Sequence, residues 1–366
     1  MGFDSFIGNA SAVATVRKIL RSGRIPGAML FAGPDGVGKK TLAMMLAKGL
    51  VCEKNQGDFC GECRRCRKAE EMIALGREDL ARRREIKEAA RRVEGLVYFD
   101  LQLIEPITSY ILTEQIRQLR NVAYTCPFEF PRRVFIVDDA QAIHWQAIDV
   151  LLKVLEEPPD TTTLILVCPN AYELRPTIRS RCFRLAFQPV DEGSILALLA
   201  QDKRLTKPQQ ALAARVAAGS VAQAKAFDLA DYQRRRQPWL DFLESVLRVA
   251  PGGRDPAPWS SLFDAAKALA ENREDFDRTL RIGFSLLRDV LQLREPGGDK
   301  EVMNVDLVAR LKTWAAGSSL EDLECLKAGL DRAYRLQIRN VNQQLGFEEL
   351  GIDVVTGRKS TLTQTG

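Results

Sequence analysis

Strand-length apolar runs alternate with helical patterns through the first half of this 366-residue chain. The runs lie at 28–33, 96–104, 132–138, 163–168 and 182–187. Such alternation favours a parallel sheet with helices on both faces. The runs at 132–138 and 163–168 are apolar almost throughout, which is typical of strands that are buried on both sides. The first half is therefore predicted to be an α/β domain.

Beyond about residue 188 the strand-like runs end, and the rest of the chain has the pattern of helices joined by turns. Pro189, the AAGS at 217–220 and the PGGRDPAP at 251–258 are the clearest breaks. An all-α second half is therefore predicted. The predicted divisions are an α/β domain at 1–187, a small helical domain at 188–229, a larger helical domain at 230–355 and a disordered tail at 356–366.

His144 is the only histidine in the chain, which removes Ser–His and Cys–His catalysis from consideration. It is interpreted as a structural or surface residue. The segment that follows it has helical spacing, and the predicted helix places Trp145, Ile148, Leu152 and Leu155 on one face.

Residues 33–41 read GPDGVGKKT and match a phosphate-binding loop. An apolar strand runs into this loop and an amphipathic helix follows it. Glycines allow backbone N–H groups to point at a phosphate, the lysine reaches the outer phosphates, and the helix N-terminus favours an anion. The residues predicted to bind ATP or ADP here are Gly33, Gly36, Gly38, Lys39, Lys40 and Thr41.

Position 40 departs from the phosphate-loop pattern, which requires Ser or Thr there to place a hydroxyl on Mg²⁺. Lys40 has no hydroxyl, and Thr41 is turned about 100° further around the helix. The Lys40 ammonium could instead lie near the missing metal. The sequence therefore predicts a loop that can bind nucleotide, whereas Mg²⁺ binding is doubtful and hydrolysis is impaired.

The run VFIVDDA ends in Asp138 and Asp139 and resembles the acidic strand that accompanies a phosphate loop. Asp138 is predicted to hold the metal, directly or through water. Active enzymes of this kind carry a glutamate next, which orients the attacking water, and Asp139 is one methylene shorter. The pair again indicates slow hydrolysis or none.

Four of the eight cysteines lie close together, at Cys52, Cys60, Cys63 and Cys66. Tetrahedral zinc is held by such thiolates, and C-x-x-C pairs place two of them at a suitable distance. Because four thiolates leave no open position, the site is predicted to be a structural zinc module at 52–66. An iron–sulfur cluster uses the same ligand set and remains the alternative.

The segment 67–94 holds nine basic and seven acidic residues. Opposite charges stand four residues apart in the pairs Glu78–Arg82, Asp79–Arg83 and Glu88–Arg92, which suits a solvated helix. The segment is interpreted as a charged helical insert on the surface, and contact with nucleic acid is the alternative.

Composition sets the class of protein. The chain is 46% apolar and 28% charged, which is the balance of a globular protein. No apolar run is long enough to span a membrane, so a cytoplasmic protein without a membrane partner is expected. The net charge of +5 permits contact with nucleic acid without requiring it. Arg117 and Arg120 are candidates for such contact, with Ile116 and Leu119 turned toward the core.

Five landmarks occur in order along the chain. They are GPDGVGKK, the four-cysteine insert, VFIVDDA, LLKVLEEPP at 151–159 and TIRSRC at 177–182. This order, over residues 1–230, resembles the bacterial sliding-clamp loader subunits of the AAA+ class. RNVNQQLGFEEL at 339–350 is similar to the last collar helix of that family.

The resemblance implies an AAA+ nucleotide-binding domain, a small helical lid and a C-terminal helical collar that builds a pentameric ring. It also implies that Arg181 of the SRC motif is an arginine finger, which reaches the ATP of a neighbouring subunit and stabilises charge on the transferred phosphate. The implied partners are motor ATPase subunits and delta in a hetero-pentamer, the sliding clamp and primer–template DNA.

Two members of the family share this layout. The motor type has Lys–Thr or Lys–Ser in the loop, Asp–Glu after the strand and an arginine in the lid motif GSxR. This chain has Lys40, Asp139 and Ala222 at those positions, and 168–170 also departs from the motor pattern. Each departure removes a catalytic group, yet Arg181 remains, which favours a stator without useful catalysis of its own. A motor ATPase is the first alternative, and a zinc-containing nucleic-acid-binding ATPase outside replication is the second.

Overall fold

A computed structural model describes residues 2–54, 56–88, 90–202, 204–247, 259–271, 276–336 and 342–357. The chain divides into two compact units. The first comprises Met1–Ile195 with Ala218–Gln223, and the second comprises Leu196–Ala217 with Ala224–Gly366. The three-domain division predicted from the sequence stays a prediction, and the tail predicted to be disordered lies outside the described residues from position 358 onward.

The first unit contains a five-stranded parallel sheet. Its strands are β1 (Ala28–Ala32), β2 (Leu101–Ile104), β3 (Arg133–Val137), β4 (Thr162–Cys168) and β5 (Phe183–Ala186). They lie in the order β2-β3-β4-β1-β5. Every residue of β1, β3 and β4 is buried, because apolar strands inside a parallel sheet are covered on both faces. The predicted α/β class, with the phosphate loop after β1, is confirmed.

Helices cover both faces of this sheet. The helices of the two sheet cores are α1 (Ala10–Ser22), α2 (Lys39–Val51), α3 (Arg64–Glu85), α4 (Thr113–Ala123), α5 (Ile148–Glu156) and α6 (Pro176–Arg179). Next along the chain are α7 (Glu192–Leu199), α8 (Lys207–Val216), which belongs to the second unit, and α9 (Val221–Lys225). Met29 and Phe31 of β1 lie in one apolar core with α1, α2 and α3. Leu30, between them, lies in the opposite core with α4 and α5. Alternate residues of one strand therefore build two cores.

The second unit is helical throughout its described residues. Its remaining helices are α10 (Leu229–Val246), α11 (Trp259–Ala270), α12 (Phe276–Gln292), α13 (Val308–Gly317), α14 (Leu320–Leu336) and α15 (Gln343–Thr356). The Trp239 ring centroid lies 5.8 Å from that of Phe242 and 5.4 Å from that of Phe347, both edge to face. The indole N–H of Trp239 donates to the Thr279 carbonyl at 2.6 Å, so this aromatic core leaves its buried donor satisfied. The predicted all-α second half is confirmed.

None of the helices among the described residues combines the length and the apolar character needed to cross a membrane.

The second strand is shorter than the apolar run at 96–104 predicts, because it begins only at Leu101. Leu101 pairs with Val134, near the start of β3. The Asp100 carbonyl still accepts from the N–H of Val134 at 2.7 Å, whereas residues 96–99 lie outside the strand pairing and Val97 is 66% exposed.

The helical face predicted to hold Trp145, Ile148, Leu152 and Leu155 does not include Trp145, which lies before the α-helix and is 64% exposed. Residues 145–147 form a 3₁₀ turn, and the α-helix begins at Ile148. A 3₁₀ turn advances about 120° per residue rather than 100°, so the helical phase changes there. Leu152 is only partly buried, whereas Leu151 is fully buried.

The charged segment 67–94 is helical as far as Glu85, and its helix has one buried face rather than being solvated on all sides. Helix α3 begins at Arg64, inside the cysteine cluster, and buries one face. A Cβ on Gly76 would lie 3.2 Å from Nε2 of Gln102, so the helix passes close to β2. The charges occupy its opposite face. The buried apolar residues follow helical spacing, at Ala69, Met72, Ile73 and Gly76.

The ion pairs predicted for this segment form in part. Arg83 binds Asp79 at 2.6 Å, as the sequence predicts. Arg83 is also buried and donates to the Glu94 carbonyl at 2.8 Å, which ties the end of the segment back to the helix. Glu88 pairs with Arg91 at 2.8 Å rather than with Arg92, because the helix has ended at residue 85 and the i,i+4 spacing no longer applies.

Candidate functional site

The phosphate loop joins the carboxyl end of β1 to the start of α2. Gly36 and Gly38 have φ angles of +74° and +98°, which side chains rarely tolerate. A Cβ on Gly36 would lie 2.0 Å from the Ser220 hydroxyl, and one on Gly33 would lie 2.4 Å from the Phe187 carbonyl oxygen. The glycines are therefore required for the loop to fold tightly, with its backbone N–H groups available for an anion.

The Lys39 ammonium lies inside the loop. Lys39 is 7% exposed, and its Nζ donates to the carbonyls of Gly33 at 2.6 Å and Pro34 at 2.7 Å. Its contact with Asp35 is long, at 3.5 Å. An ammonium has three donors, so a phosphate oxygen would bind Lys39 by replacing the long contact with Asp35.

Lys40 is bound by two acids. Its Nζ lies 3.1 Å from Oδ2 of Asp138 and also donates to Oε1 of Glu105. Glu105 follows β2 and Asp138 follows β3, and these two strands are neighbours in the sheet. The acids are 13% and 17% exposed. The ammonium therefore lies where the sequence pattern expects a metal ion beside Asp138.

Burial and charge act in opposite directions on this pair. Burial raises the pKa of Asp138 above its ordinary value, although the Lys40 ammonium opposes that shift. Burial disfavours the Lys40 ammonium as well, but its hydrogen bond to Glu105 and the charge of Asp138 outweigh that effect and raise the pKa of Lys40. Lys40 is consequently protonated at neutral pH and balances one negative charge.

The residues present do not fit Mg²⁺, which requires an octahedron of oxygen ligands. Asp138 and Glu105 are already engaged with Lys40. Thr41 is exposed on α2. Asp139 is exposed in a left-handed conformation, with φ of +52°, and its carboxylate accepts from Gln141 at 3.1 Å.

The GSVA turn borders the phosphate loop. The backbone N–H of Ala222 donates to the Gly36 carbonyl at 3.1 Å. The position at which a motor-type lid motif would place an arginine is therefore next to the loop, and in this chain it carries only a methyl group.

Arg181 lies at the opposite edge of the sheet from the phosphate loop. Phe183 of β5 pairs with Met29 of β1, near the amino ends of both strands, and Arg181 lies in the turn just before β5. Gly33 follows the other end of β1, four residues beyond Met29, which is about 13 Å along a parallel strand. The side chain of Arg181 is 35% exposed and pairs with Glu156 at 2.7 Å. This ion pair holds the guanidinium at the end of the strands away from the loop.

The four clustered cysteines converge on one point. Their sulfurs all lie within 4.8 Å of one another. Cys52 and Cys60 are 3.7 Å apart, and Cys60 and Cys66 are 4.0 Å apart. Sulfurs held tetrahedrally at about 2.3 Å from one zinc ion lie about 3.8 Å apart. The donor set and its spacing are therefore compatible with one structural zinc.

Backbone donors support thiolates in this cluster. The N–H of Cys63 points at the Cys60 sulfur at 3.3 Å, and the N–H of Cys66 points at the Cys63 sulfur at 3.4 Å. Backbone N–H groups of Glu62 and Cys63 lower the pKa of Cys60 to about 6. Burial raises the pKa of Cys66, so this thiol depends on a cation for its deprotonation.

Glu105 was missed by the sequence analysis. It lies 65 positions from Lys40, and its only local signal is an acid directly after an apolar strand. Only the adjacency of β2 and β3 brings it to the phosphate loop.

Residues 8–191, half of the chain, match the family model described as DNA polymerase III, delta subunit. DNA polymerase III subunit delta' of Bacillus subtilis is 26% identical over 89% of this chain and 90% of its own length. DNA polymerase III subunit gamma/tau of Mycobacterium tuberculosis is 30% identical over 54% of this chain. The chain covers only 31% of that gamma/tau protein.

Two solved structures from Thermotoga maritima are also similar. A DNA polymerase III gamma-subunit-related protein has a TM-score of 0.44 at 16% identity, covering 94% of this chain and 99% of its own. The RuvB branch-migration motor has a TM-score of 0.41 at 15% identity, covering 89% of each chain. Similarities this loose support no inference about function. The match of the family model over half of the chain establishes membership: the chain belongs to the DNA polymerase III delta-subunit family.

Proposed function

We propose that this chain is a delta-prime subunit, the stator of a cytoplasmic clamp loader. It would act with motor ATPase subunits and delta in a pentamer that loads the sliding clamp onto primer–template DNA. The observation that carries the proposal is the Lys40 ammonium on Asp138. A loop that has exchanged its metal position for a lysine has lost the means of rapid hydrolysis.

The proposed contribution of this chain to catalysis is Arg181. A guanidinium that reaches the phosphates bound by a neighbour stabilises the charge that develops during phosphoryl transfer. The placement of Arg181 just before β5, at the opposite end of the strands from its own loop, supports action on another subunit. The ion pair with Glu156 keeps the guanidinium at the surface, from which it can be transferred to a phosphate.

We assign the cysteine cluster a structural role. One zinc ion bound by Cys52, Cys60, Cys63 and Cys66 would have no open position, so it would hold the fold rather than take part in chemistry.

A motor-type ATPase is the second candidate, because the gamma/tau proteins are up to 30% identical to the first half of this chain. Lys40, Asp139 and Ala222 count against it. If the double change Lys40→Thr, Asp139→Glu raised ATP turnover of the isolated chain, the site would be that of a recently lost ATPase.

Reconstitution tests the proposed function. We expect the purified chain to form a stable complex with motor and delta subunits, as measured by size-exclusion chromatography. We also expect clamp- and DNA-stimulated ATP hydrolysis to fall when the chain is left out. Failure to form any stable complex would contradict the proposal and would favour an ATPase outside replication.

A further inference from the structure

The metal position of the phosphate loop holds a covalently attached cation. In a metal-dependent loop, residue 40 would supply a hydroxyl ligand and Asp138 would hold the ion. In this chain one side chain, Lys40, replaces the hydroxyl and also brings its Nζ to 3.1 Å from Oδ2 of Asp138. The ammonium contacts Glu105 on its other side. A divalent ion could bind there only by displacing this ammonium from both acids.

Each of the two acids at the position already faces a cation. The Lys40 ammonium contacts both Asp138 and Glu105, and the guanidinium of Arg84 lies 3.7 Å from Oε2 of Glu105. Mg²⁺ would therefore have to compete with both cations for these carboxylates.

The rest of the loop keeps the features that bind phosphate. Gly36 and Gly38 retain positive φ angles, and the helix α2 presents its N-terminus at the same place. Lys39 lies inside the loop, with two donors on the Gly33 and Pro34 carbonyls and a third in a long contact with Asp35 that a phosphate oxygen could replace. The groups that bind phosphate are thus retained, whereas the Mg²⁺ ligands are lost.

We propose that this loop binds a nucleoside di- or triphosphate without Mg²⁺, with the Lys40 ammonium in the place of the ion. The inference rests on the proposed function in one respect: it assumes that residues 33–41 form a phosphate loop that does not hydrolyse ATP. It is independent of Arg181 and of assembly. Under this proposal, the nucleotide would stay bound to this subunit while neighbouring sites hydrolyse ATP with Mg²⁺.

Calorimetric titration of the purified chain with ADP and with ATP tests this proposal. One buffer contains Mg²⁺, and the other is freed of it with a chelating resin; EDTA is avoided, because it would compete for the cysteine site. For the wild type we expect the two dissociation constants to agree within about threefold. For Lys40→Thr we expect binding to become at least about tenfold tighter with Mg²⁺ than without it.

Lys48→Thr is the matched control. Lys48 lies on the same helix, where it pairs with Glu70 at 2.6 Å and contacts no group of the phosphate loop among the described residues, so this variant should show the same indifference to Mg²⁺ as the wild type. Thermal melting of each variant verifies folding, and the wild-type comparison stands alone if Lys40→Thr does not fold. A wild type that binds tenfold or more weakly without Mg²⁺ would overturn the proposal. So would the absence of binding in both buffers, or a Lys40→Thr variant that remains indifferent to Mg²⁺; assembly and the Arg181 effect would survive any of these results.

Discussion

Replacing Arg181 with alanine is expected to lower ATP turnover at the neighbouring subunit's site by about a hundredfold or more in the assembled loader. An arginine that stabilises the transition state from outside a site contributes about 10³–10⁵ in rate in related phosphoryl transfers. Arg181 is partly exposed and pairs only at the surface with Glu156, so its removal leaves no buried charge unpaired and the chain should fold normally. Single-turnover hydrolysis by the reconstituted complex measures the effect.

Three further variants separate this role from a general effect of positive charge. Arg175→Ala removes an exposed arginine from the same segment and should leave turnover unchanged. Arg181→Lys should retain little activity, because an ammonium lacks the planar fork that binds phosphate through two hydrogen bonds. Glu156→Gln should not reduce turnover, since it only releases the guanidinium. Normal turnover by a complex that contains Arg181→Ala would exclude the arginine finger.

One zinc ion per chain is expected from elemental analysis, and Cys66→Ser should abolish it. Cys66 is fully buried at the start of α3 and lies in the same apolar core as β1 and α2. Loss of the ion would leave a hydroxyl and three thiols in this core, at a cost of about 3–5 kcal/mol in the free energy of unfolding. Thermal melting of the variant should therefore fall by about 10 °C.

Cys126→Ser provides the control for the zinc experiment. Cys126 is exposed and outside the cluster, so zinc content and melting temperature should equal those of the wild type. Iron instead of zinc would support the iron–sulfur alternative. A chain without metal, or an unchanged melting temperature after Cys66→Ser, would remove the structural-zinc assignment.

Features encoded by local pattern were the ones that could be predicted from the sequence. The runs that became β1, β3 and β4 are continuous and apolar, so their burial on both faces follows directly from the residues. The cysteine cluster was also predictable, since a C-x-x-C spacing at the start of a helix brings sulfurs together without long-range contacts. Cys63 caps helix α3, and Cys66 lies within its first turn.

The sequence-based predictions were wrong where a neighbouring strand or a turn determines which residues are paired or buried. Residues 96–99 have apolar character but no partner strand, because β3 begins only at Arg133. Trp145 lies in a 3₁₀ turn whose different rotation per residue takes it out of the buried face. In α3 the apolar residues Met72 and Ile73 indicate a buried face, but the many charges on the opposite face favoured the interpretation as a solvated helix.

At the candidate site, too, local features could be predicted from the sequence, whereas contacts between distant segments could not. The departure of Lys40 from the loop pattern was evident in the sequence, and its contact with Asp138 follows from the usual pairing of those two motifs. Glu105 was not predictable, because its contact with Lys40 depends on the order of strands in the sheet. Because Glu105 binds Lys40 opposite Asp138, the ammonium is held from two sides at the position of the missing metal ion.

ATP turnover by the purified chain alone, in buffer that contains Mg²⁺, tests most directly whether its phosphate loop has given up hydrolysis. We predict a rate no higher than that of buffer without protein, from a preparation that still raises turnover when it is added to motor and delta subunits. Rapid hydrolysis by the chain alone, lost on the change Lys39→Ala and therefore not due to a contaminant, would contradict the account.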